Sequence, residues 1–200
     1  MIDEGVIKFN CNWDNNPLPV SVPVQLMEWR DKMHELNLIG QYEDIKIGYG
    51  NISVKLPQGI LISGTQTGNI FPIESKYFSL VTSYNMKLNS LDCIGKIKAS
   101  AESLTHAAFY DANKSIKAVI HIHSKSMWDK LIDKIPTSDR KIPYGTSEMA
   151  SEINRLFKET NLMECKVMVM GGHDEGIIAF GENLQEAGKT ILSVFHSVEM

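Results

Sequence analysis

The chain of 200 residues has few cysteines and no excess of positive charge. Its three cysteines, Cys11, Cys93 and Cys165, are odd in number and far apart, which predicts reduced thiols and a cytoplasmic protein rather than a secreted disulfide framework. The formal net charge is −4 and the lysines are scattered. Because nothing forms a basic patch for a phosphate backbone, nucleic acid is not expected as a partner.

Long apolar runs are also lacking. No uninterrupted apolar stretch is long enough to cross a bilayer, and Met1 to Gly5 do not form the basic start of a secretion leader. Neither membrane insertion nor secretion is therefore expected. The apolar content of 43% is sufficient for a substantial core, and no repeat or linker divides the chain. The sequence thus predicts a single domain over residues 1–200.

The spacing of apolar residues predicts both helices and strands. Helices are expected over Val24–Leu38, from Ser100, from Thr146 and from Leu184 onwards. Strands are expected at Ile52–Leu56, Ile60–Ile62, Phe78–Thr82, Ala118–His123, Lys166–Met170 and Gly176–Phe180. The start of the chain, the stretch before Ser100 and the connection after His123 are expected to be irregular. Since the strands outnumber a repeated βαβ pattern, an α/β sandwich with a mixed or mainly antiparallel sheet is favoured.

The strongest local signal is the pair His121 and His123 at the end of a predicted strand. Because side chains alternate along a strand, both imidazoles point to one side and Ile122 to the other. A lone pair of this kind could equally be unrelated polar residues, so the prediction depends on a third ligand. His173, in the glycine-rich turn 171–176, is the best candidate. Three histidines leave the fourth position of a zinc ion open for water or substrate, as in catalytic sites.

Glu102 and His106 lie one turn apart on the helix predicted from Ser100. Glu102 is a candidate acid/base, and the alternative is an acidic first-turn residue favoured by the helix dipole. His106 leaves three interpretations open: a hydrogen-bond partner of Glu102, a further metal ligand, or a packing histidine.

Two segments of small residues, Gly50–Ser53 and Ser63–Gly68, lie at the ends of predicted strands. Free N–H groups and hydroxyls in such positions can hold a phosphate or a carboxylate. Both segments also fit ordinary turns, and neither has the lysine of a Walker-type loop, so nucleotide binding is not supported.

In their order and spacing, these motifs resemble the class II aldolase and adducin family. The resemblance extends from about Val24 to the terminal helix. The segments that carry it are Gly50–Ser53, Ile60–Ser63 with the loop that follows, Ser100–Glu102 with His106 and Tyr110, Ala118–Ser124, Tyr144–Thr146, and His173.

The resemblance implies a three-layer α/β/α sandwich with a mixed, mainly antiparallel central sheet, usually assembled as a homotetramer. It implies Zn²⁺ or another divalent metal on His121, His123 and His173, with Glu102 as the catalytic acid/base. The implied activity is that of an aldolase-type lyase that cleaves a small ketose or sugar phosphate through a metal-stabilised enediolate. Residues implied to contact the substrate phosphate are Asn51, Ser63, Gly64 and Ser100.

The same resemblance leaves alternatives, because the family also includes sugar-phosphate epimerases, dehydratases and the non-catalytic adducins. A glutamate at position 102 favours aldolase or dehydratase, since the epimerases generally have aspartate there. Adducin-like interaction modules lose metal ligands, whereas all three histidines are present in this chain.

The chain departs from the family pattern at three places. The phosphate loop, Ser63–Gly68, is longer than usual. The connection from His123 to Tyr144 is short and offers no counterpart of the tyrosine that fuculose-type aldolases supply from that loop. Asp174 and Glu175 follow the third histidine, and either could be a hydrogen-bond partner of a metal ligand or simply a turn residue.

Overall fold

A computed structural model describes residues 5–199. Residues 1–4 and residue 200 lie outside the described part. The prediction about a leader at the start of the chain and the two ends of the predicted domain 1–200 therefore fall outside it as well. The strands are β1 (Asn10–Asp14), β2 (Gly40–Gln41), β3 (Gly48–Tyr49), β4 (Asn51–Leu56), β5 (Gly59–Ser63), β6 (Phe78–Asn85), β7 (Ser90–Ile94), β8 (Ala118–His123), β9 (Val167–Val169) and β10 (Gly176–Gly181). The helices are α1 (Val24–Glu35), α2 (Ser103–Ala112), α3 (Lys125–Leu131), α4 (Ser147–Glu159), α5 (Leu162–Cys165) and α6 (Leu184–Glu199).

Eight of the strands form one sheet in the order β1-β7-β6-β5-β4-β8-β10-β9. Neighbouring strands are antiparallel throughout, except that β1 runs parallel to β7 at the edge. The prediction of a mixed, mainly antiparallel sheet is therefore confirmed. The short strands β2 and β3 pair separately as a small hairpin beside the main sheet.

Helices cover both faces of the sheet. Side chains of α2 and α4, such as Leu104 and Ile153, pack on the face that includes Val119. Side chains of α1 and α6, such as Leu26 and Ile191, pack on the opposite face. Each face thus has its own apolar core, and the fold is the three-layer α/β/α sandwich that the resemblance implies.

Strand β8 is a buried central strand that contains two histidines among apolar residues. All six of its residues are buried, because β4 and β10 flank the strand and helices cover both of its faces. Ile120 and Ile122 enter the core on the α1 and α6 side. His121 and His123 therefore point to the α2 and α4 side, as the alternation of the sequence predicts.

Six elements are not predicted by the sequence, namely β1, β2, β3, β7, α3 and α5. Strand β1 has exposed Asn and Asp residues, which are uncommon in strands, and it forms by pairing with β7 at the sheet edge. Strand β7 does alternate, with Leu91 and Cys93 buried, but it is only five residues long. Helix α3 is seven residues long, too short to show a periodicity, and begins where the Ser124 hydroxyl accepts the N–H of Met127.

Two predicted helix boundaries are wrong. The second helix begins at Ser103 rather than at Ser100, because Ser100 to Glu102 form a turn in which the Ser100 hydroxyl accepts the N–H of Glu102 at 3.2 Å. The first helix ends at Glu35 rather than at Leu38. Asn37 has a φ of +56°, a left-handed conformation that ends a helix. Within residues 5–199, no helix is long and apolar enough to span a membrane.

We expect Ile120→Ala to lower the free energy of unfolding by about 2–5 kcal/mol, because it opens a cavity at a fully buried position in the sheet. Urea unfolding of the purified variant measures this. Leu88→Ala, at a side chain that is 68% exposed, is the control and should shift stability by no more than about 0.5 kcal/mol. Equal effects of the two substitutions would contradict the burial described for β8.

Candidate metal centre

Three histidines from two separate parts of the chain meet at one end of β8. His121 and His123 end that strand, and His173 lies in the turn between β9 and β10. One ring nitrogen from each lies within 4.8 Å of the others, and all three residues are buried. The pairing of β8 with β10 causes this convergence, because Gly176 lies opposite His123 in the register.

The positions of the ring nitrogens fit a shared metal ion. The Nε2 atoms of His123 and His173 are 3.1 Å apart, close to the roughly 3.3 Å expected of two nitrogens on a tetrahedral zinc with Zn–N bonds of 2.0–2.1 Å. The Nε2 of His121 is buried and has no hydrogen-bond partner among residues 5–199. A buried nitrogen without a partner is costly, and a metal ion would satisfy it.

Glycine is required beside these rings at position 176. A Cβ atom there would lie 2.7 Å from a ring carbon of His173 and 3.2 Å from the Nε2 of His121. Glycine therefore lets the backbone of β10 lie close to the histidines, as predicted for this glycine-rich turn.

Burial favours the neutral form of His121 and His123. It lowers the pKa of His121 well below its usual value, and the neighbouring His123, His173 and His106 lower it further. Burial and the neighbouring His173 likewise lower the pKa of His123 well below its usual value. Since a histidine must be neutral to bind a metal, these two side chains are in the form that can bind an ion at neutral pH.

Glu102 lies next to the histidines in the turn before α2. Its Oε1 is 3.5 Å from the Nε2 of His173 and 3.8 Å from the Nδ1 of His121. Glu102 is only 3% exposed. The structure therefore places the predicted acid/base within reach of a group bound at the histidines.

A small cavity opens beside this cluster. Asn51 and Glu102 line it, together with Gly64, Ser100 and Tyr144. The side-chain nitrogen of Asn51 lies 3.3 Å from the Nδ1 of His121, because the two residues are partners in the register of β4 and β8. Three of the four predicted substrate contacts thus line the space next to the histidines.

Ser63, the fourth predicted contact, is placed differently. It is buried, and its hydroxyl accepts the N–H of Ile52 at 3.2 Å. Within the described part of the chain, Ser63 is not among the residues that line the cavity. Its hydroxyl instead joins β5 to β4.

Arg30, which is not among the residues predicted from the sequence, stabilises the small-residue loop that borders the cavity. The guanidinium donates hydrogen bonds to the carbonyl oxygens of Thr67 and Gly68 at 2.6 and 3.0 Å and contacts Asp31 at 3.1 Å. A signal for it exists in the sequence: with Leu26 and Met33, Arg30 lies on the buried face of α1. A charge at such a position requires partners.

Tyr144 is part of the resemblance, but the sequence assigns it no role. Its ring lies 4.6 Å from that of His173, measured between centroids. Its hydroxyl accepts the N–H of Val6 at 3.0 Å, so the N-terminal segment adjoins the cavity wall. Lys8 from the same segment lies over the ring of Tyr144, with its Nζ 3.7 Å from the ring centroid.

The three interpretations of His106 are now reduced to one. Its Nδ1 shares a hydrogen bond of 2.7 Å with the hydroxyl of Ser53, which is also 2.7 Å from the hydroxyl of Tyr110. Burial lowers the pKa of His106 to about 3. It lies outside the group of potential ligands, and it is therefore a packing histidine within a buried hydrogen-bonded network.

Comparison with known proteins gives one family match. The model of the Class II Aldolase and Adducin N-terminal domain matches residues 36–200. Among curated protein sequences, nothing matches this chain.

Several solved structures share the fold. An L-fuculose 1-phosphate aldolase has a TM-score of 0.67 and 19% identity, over 90% of this chain and 85% of the other. The L-fuculose-1-phosphate aldolase of Thermus thermophilus has a TM-score of 0.60 and 19% identity, over 88% and 90%. YgbL of Escherichia coli, whose name leaves its activity open between aldolase, epimerase and decarboxylase, has a TM-score of 0.61 and 21% identity, over 88% and 85%.

We expect the purified protein, loaded with Zn²⁺ and dialysed, to retain one equivalent of metal, and His121→Ala to retain none, because two remaining histidines do not make a tight site. Elemental analysis measures the content. His196→Ala is the matched control, since His196 is exposed on α6. Full metal retention in His121→Ala would place the ion elsewhere.

Proposed function

The chain belongs to the class II aldolase and adducin family, and we propose that it is a metal-dependent lyase that cleaves a carbon–carbon bond in a small ketose or ketose phosphate. The observation that carries this proposal is the convergence of His121, His123 and His173 next to the buried carboxyl group of Glu102. An interaction module would have no need for three buried histidines around one point. Their presence therefore supports an enzyme over an adducin-like module.

The three histidines would hold Zn²⁺ or another divalent ion. Such an ion supplies a Lewis acid that polarises the carbonyl group of the substrate and accommodates the negative charge left when the adjacent bond breaks. His121 and His123 are fixed by β8, and His173 by the tight turn before β10, so the ligands need no rearrangement to bind.

Glu102 is proposed to move the proton. In the cleavage direction the substrate hydroxyl releases its proton to solvent as the C–C bond breaks and the aldehyde forms, and the carboxyl group of Glu102 protonates the carbon atom that becomes carbanionic. In the condensation direction the carboxylate removes a proton from that carbon, and the new hydroxyl takes one from solvent. Its position at 3.5 Å from the Nε2 of His173 supports this role.

The cavity is proposed to bind the rest of the substrate, with Asn51, Gly64 and Ser100 as its contacts. Backbone donors beside it are already used: the N–H groups of Gly64 and Thr65 donate to the carbonyls of Tyr77 and Lys98 at 2.8 and 2.9 Å. The side-chain donors of Asn51 and Ser100 are therefore the proposed polar contacts. Ser63 would contribute by holding β4 and β5 together rather than by direct contact.

Two further properties stay predictions of the sequence. These are assembly as a homotetramer, which sedimentation analysis measures, and a cytoplasmic location.

We expect Glu102→Gln to retain the metal and lose activity by a factor of about 10² or more, because the amide cannot transfer the proton. Metal content and aldehyde release, measured on the same preparation, test this. His121→Ala should lose both. Wild-type turnover by a Glu102→Gln protein that still holds its metal would refute the assigned role.

A screen of ketoses and ketose phosphates for aldehyde release tests the reaction itself. We expect cleavage of at least one small ketose phosphate, with a lower KM than for the same ketose without phosphate, because the amide of Asn51 and the hydroxyl of Ser100 line the cavity and can donate to an anion. Equal kinetic constants for the two forms would contradict a phosphate subsite. Epimer or dehydrated product without aldehyde would instead identify one of the alternative reactions of the family.

A further inference from the structure

We propose that Tyr42 and Glu175 form a hydrogen-bonded relay that positions His123 as a metal ligand. The proposal rests on the metal site of the proposed function and adds two positioning residues to it. The hydroxyl of Tyr42 lies 2.9 Å from the Nδ1 of His123 and donates a hydrogen bond to the Oε2 of Glu175 at 2.8 Å. The Glu175 Oε2 is itself 4.0 Å from the same Nδ1, so the hydroxyl bridges the two groups.

The direction of these hydrogen bonds defines the tautomer of His123. A tyrosine hydroxyl has one proton, and Tyr42 donates it to the carboxylate of Glu175, which can only accept. The oxygen of Tyr42 must therefore accept from the Nδ1 of His123, and the single ring proton of the neutral imidazole lies on Nδ1. The lone pair is then on Nε2, the atom that lies 3.1 Å from the Nε2 of His173.

Backbone contacts hold both members of the relay next to His123. Tyr42 lies in the turn of the β2–β3 hairpin, where its N–H donates to the carbonyl of Ile47 and its carbonyl accepts the N–H of Lys46. The carbonyl of Glu175 accepts the N–H of Ser124, the residue after His123. The relay is thus built from segments that are already fixed beside the strand.

The same hairpin supplies a second tyrosine with a different contact. The ring of Tyr49 lies 5.3 Å from the ring of His123 between centroids, but its hydroxyl donates to the carbonyl of Asn37 at 3.3 Å. Tyr49 therefore packs on the ligand without taking part in the relay. Substituting each of these two tyrosines by phenylalanine therefore distinguishes the effect of ring packing from that of hydrogen bonding.

Removing the relay should weaken metal binding without removing any ligand. Partners of this kind orient a ligating histidine and raise its basicity, and their loss typically weakens metal affinity about 10–100-fold. Tyr42→Phe leaves the Nδ1–H of His123 without the hydroxyl acceptor. Glu175→Gln keeps an acceptor for Tyr42 but removes the negative charge that strengthens the chain of hydrogen bonds.

The test is the Zn²⁺ dissociation constant of the full chain, measured by competition with a chromophoric chelator. We expect Tyr42→Phe to weaken binding about 10–100-fold, and Glu175→Gln to weaken it by a smaller factor. The matched controls, Tyr49→Phe and Asp174→Asn, should bind like the wild type, because neither changed group takes part in the relay. Affinity losses as large in the controls as in their counterparts would overturn the proposal.

The double variant Tyr42→Phe/Glu175→Gln tests whether the two residues act through one another. It distinguishes a relay from two separate losses of stability. Because Glu175 is proposed to act through Tyr42, the double variant should bind Zn²⁺ no more weakly than Tyr42→Phe alone. Additive losses would show two independent effects and overturn the relay. A wild-type protein that binds no metal at the histidines refutes the proposed function, whereas unchanged affinity in Tyr42→Phe refutes only the relay.

Discussion

The register of β8 with its two neighbours is the constraint on which the site depends. Pairing with β4 places Asn51 opposite His121, and pairing with β10 places Gly176 opposite His123. A slip of one residue would turn both imidazoles towards the opposite core and bring the isoleucines of β8 into the site. The core on the α1 and α6 side would then have to bury unpaired imidazoles, and it would lose the apolar contacts of the isoleucines. The packing of the sheet therefore enforces the register that the site requires.

Much of this arrangement can be read from the sequence because it depends on local periodicity. The alternation in Ala118–His123 correctly predicts a strand with both histidines on one side, and the glycines around His173 correctly predict a tight turn next to the other two histidines. The order of the motifs also leads to the family that the match over residues 36–200 shows. Local pattern and motif order thus give the class of the fold and the candidate ligands.

What the sequence does not predict depends on contacts between distant segments. Arg30 is separated by 37 residues from Thr67, whose carbonyl it binds, and Tyr42 by 133 residues from Glu175. No spacing rule connects such residues, since tertiary packing alone brings them together. Strand β1 is a similar case, because its polar residues become a strand only by pairing with β7. The role of Glu175, left open between turn and ligand partner by sequence alone, required the position of Tyr42.

The contacts of α1 show that the site depends on residues outside the segment that the family model matches. The family match starts at residue 36, one residue after this helix ends. Yet Leu26 and Met33 of α1 fill one core, and Arg30 holds the loop beside the cavity. The segment that the family model matches is therefore smaller than the segment that builds this site. A chain trimmed to the family boundary would keep every proposed ligand but lose the helix that supports one side of the pocket.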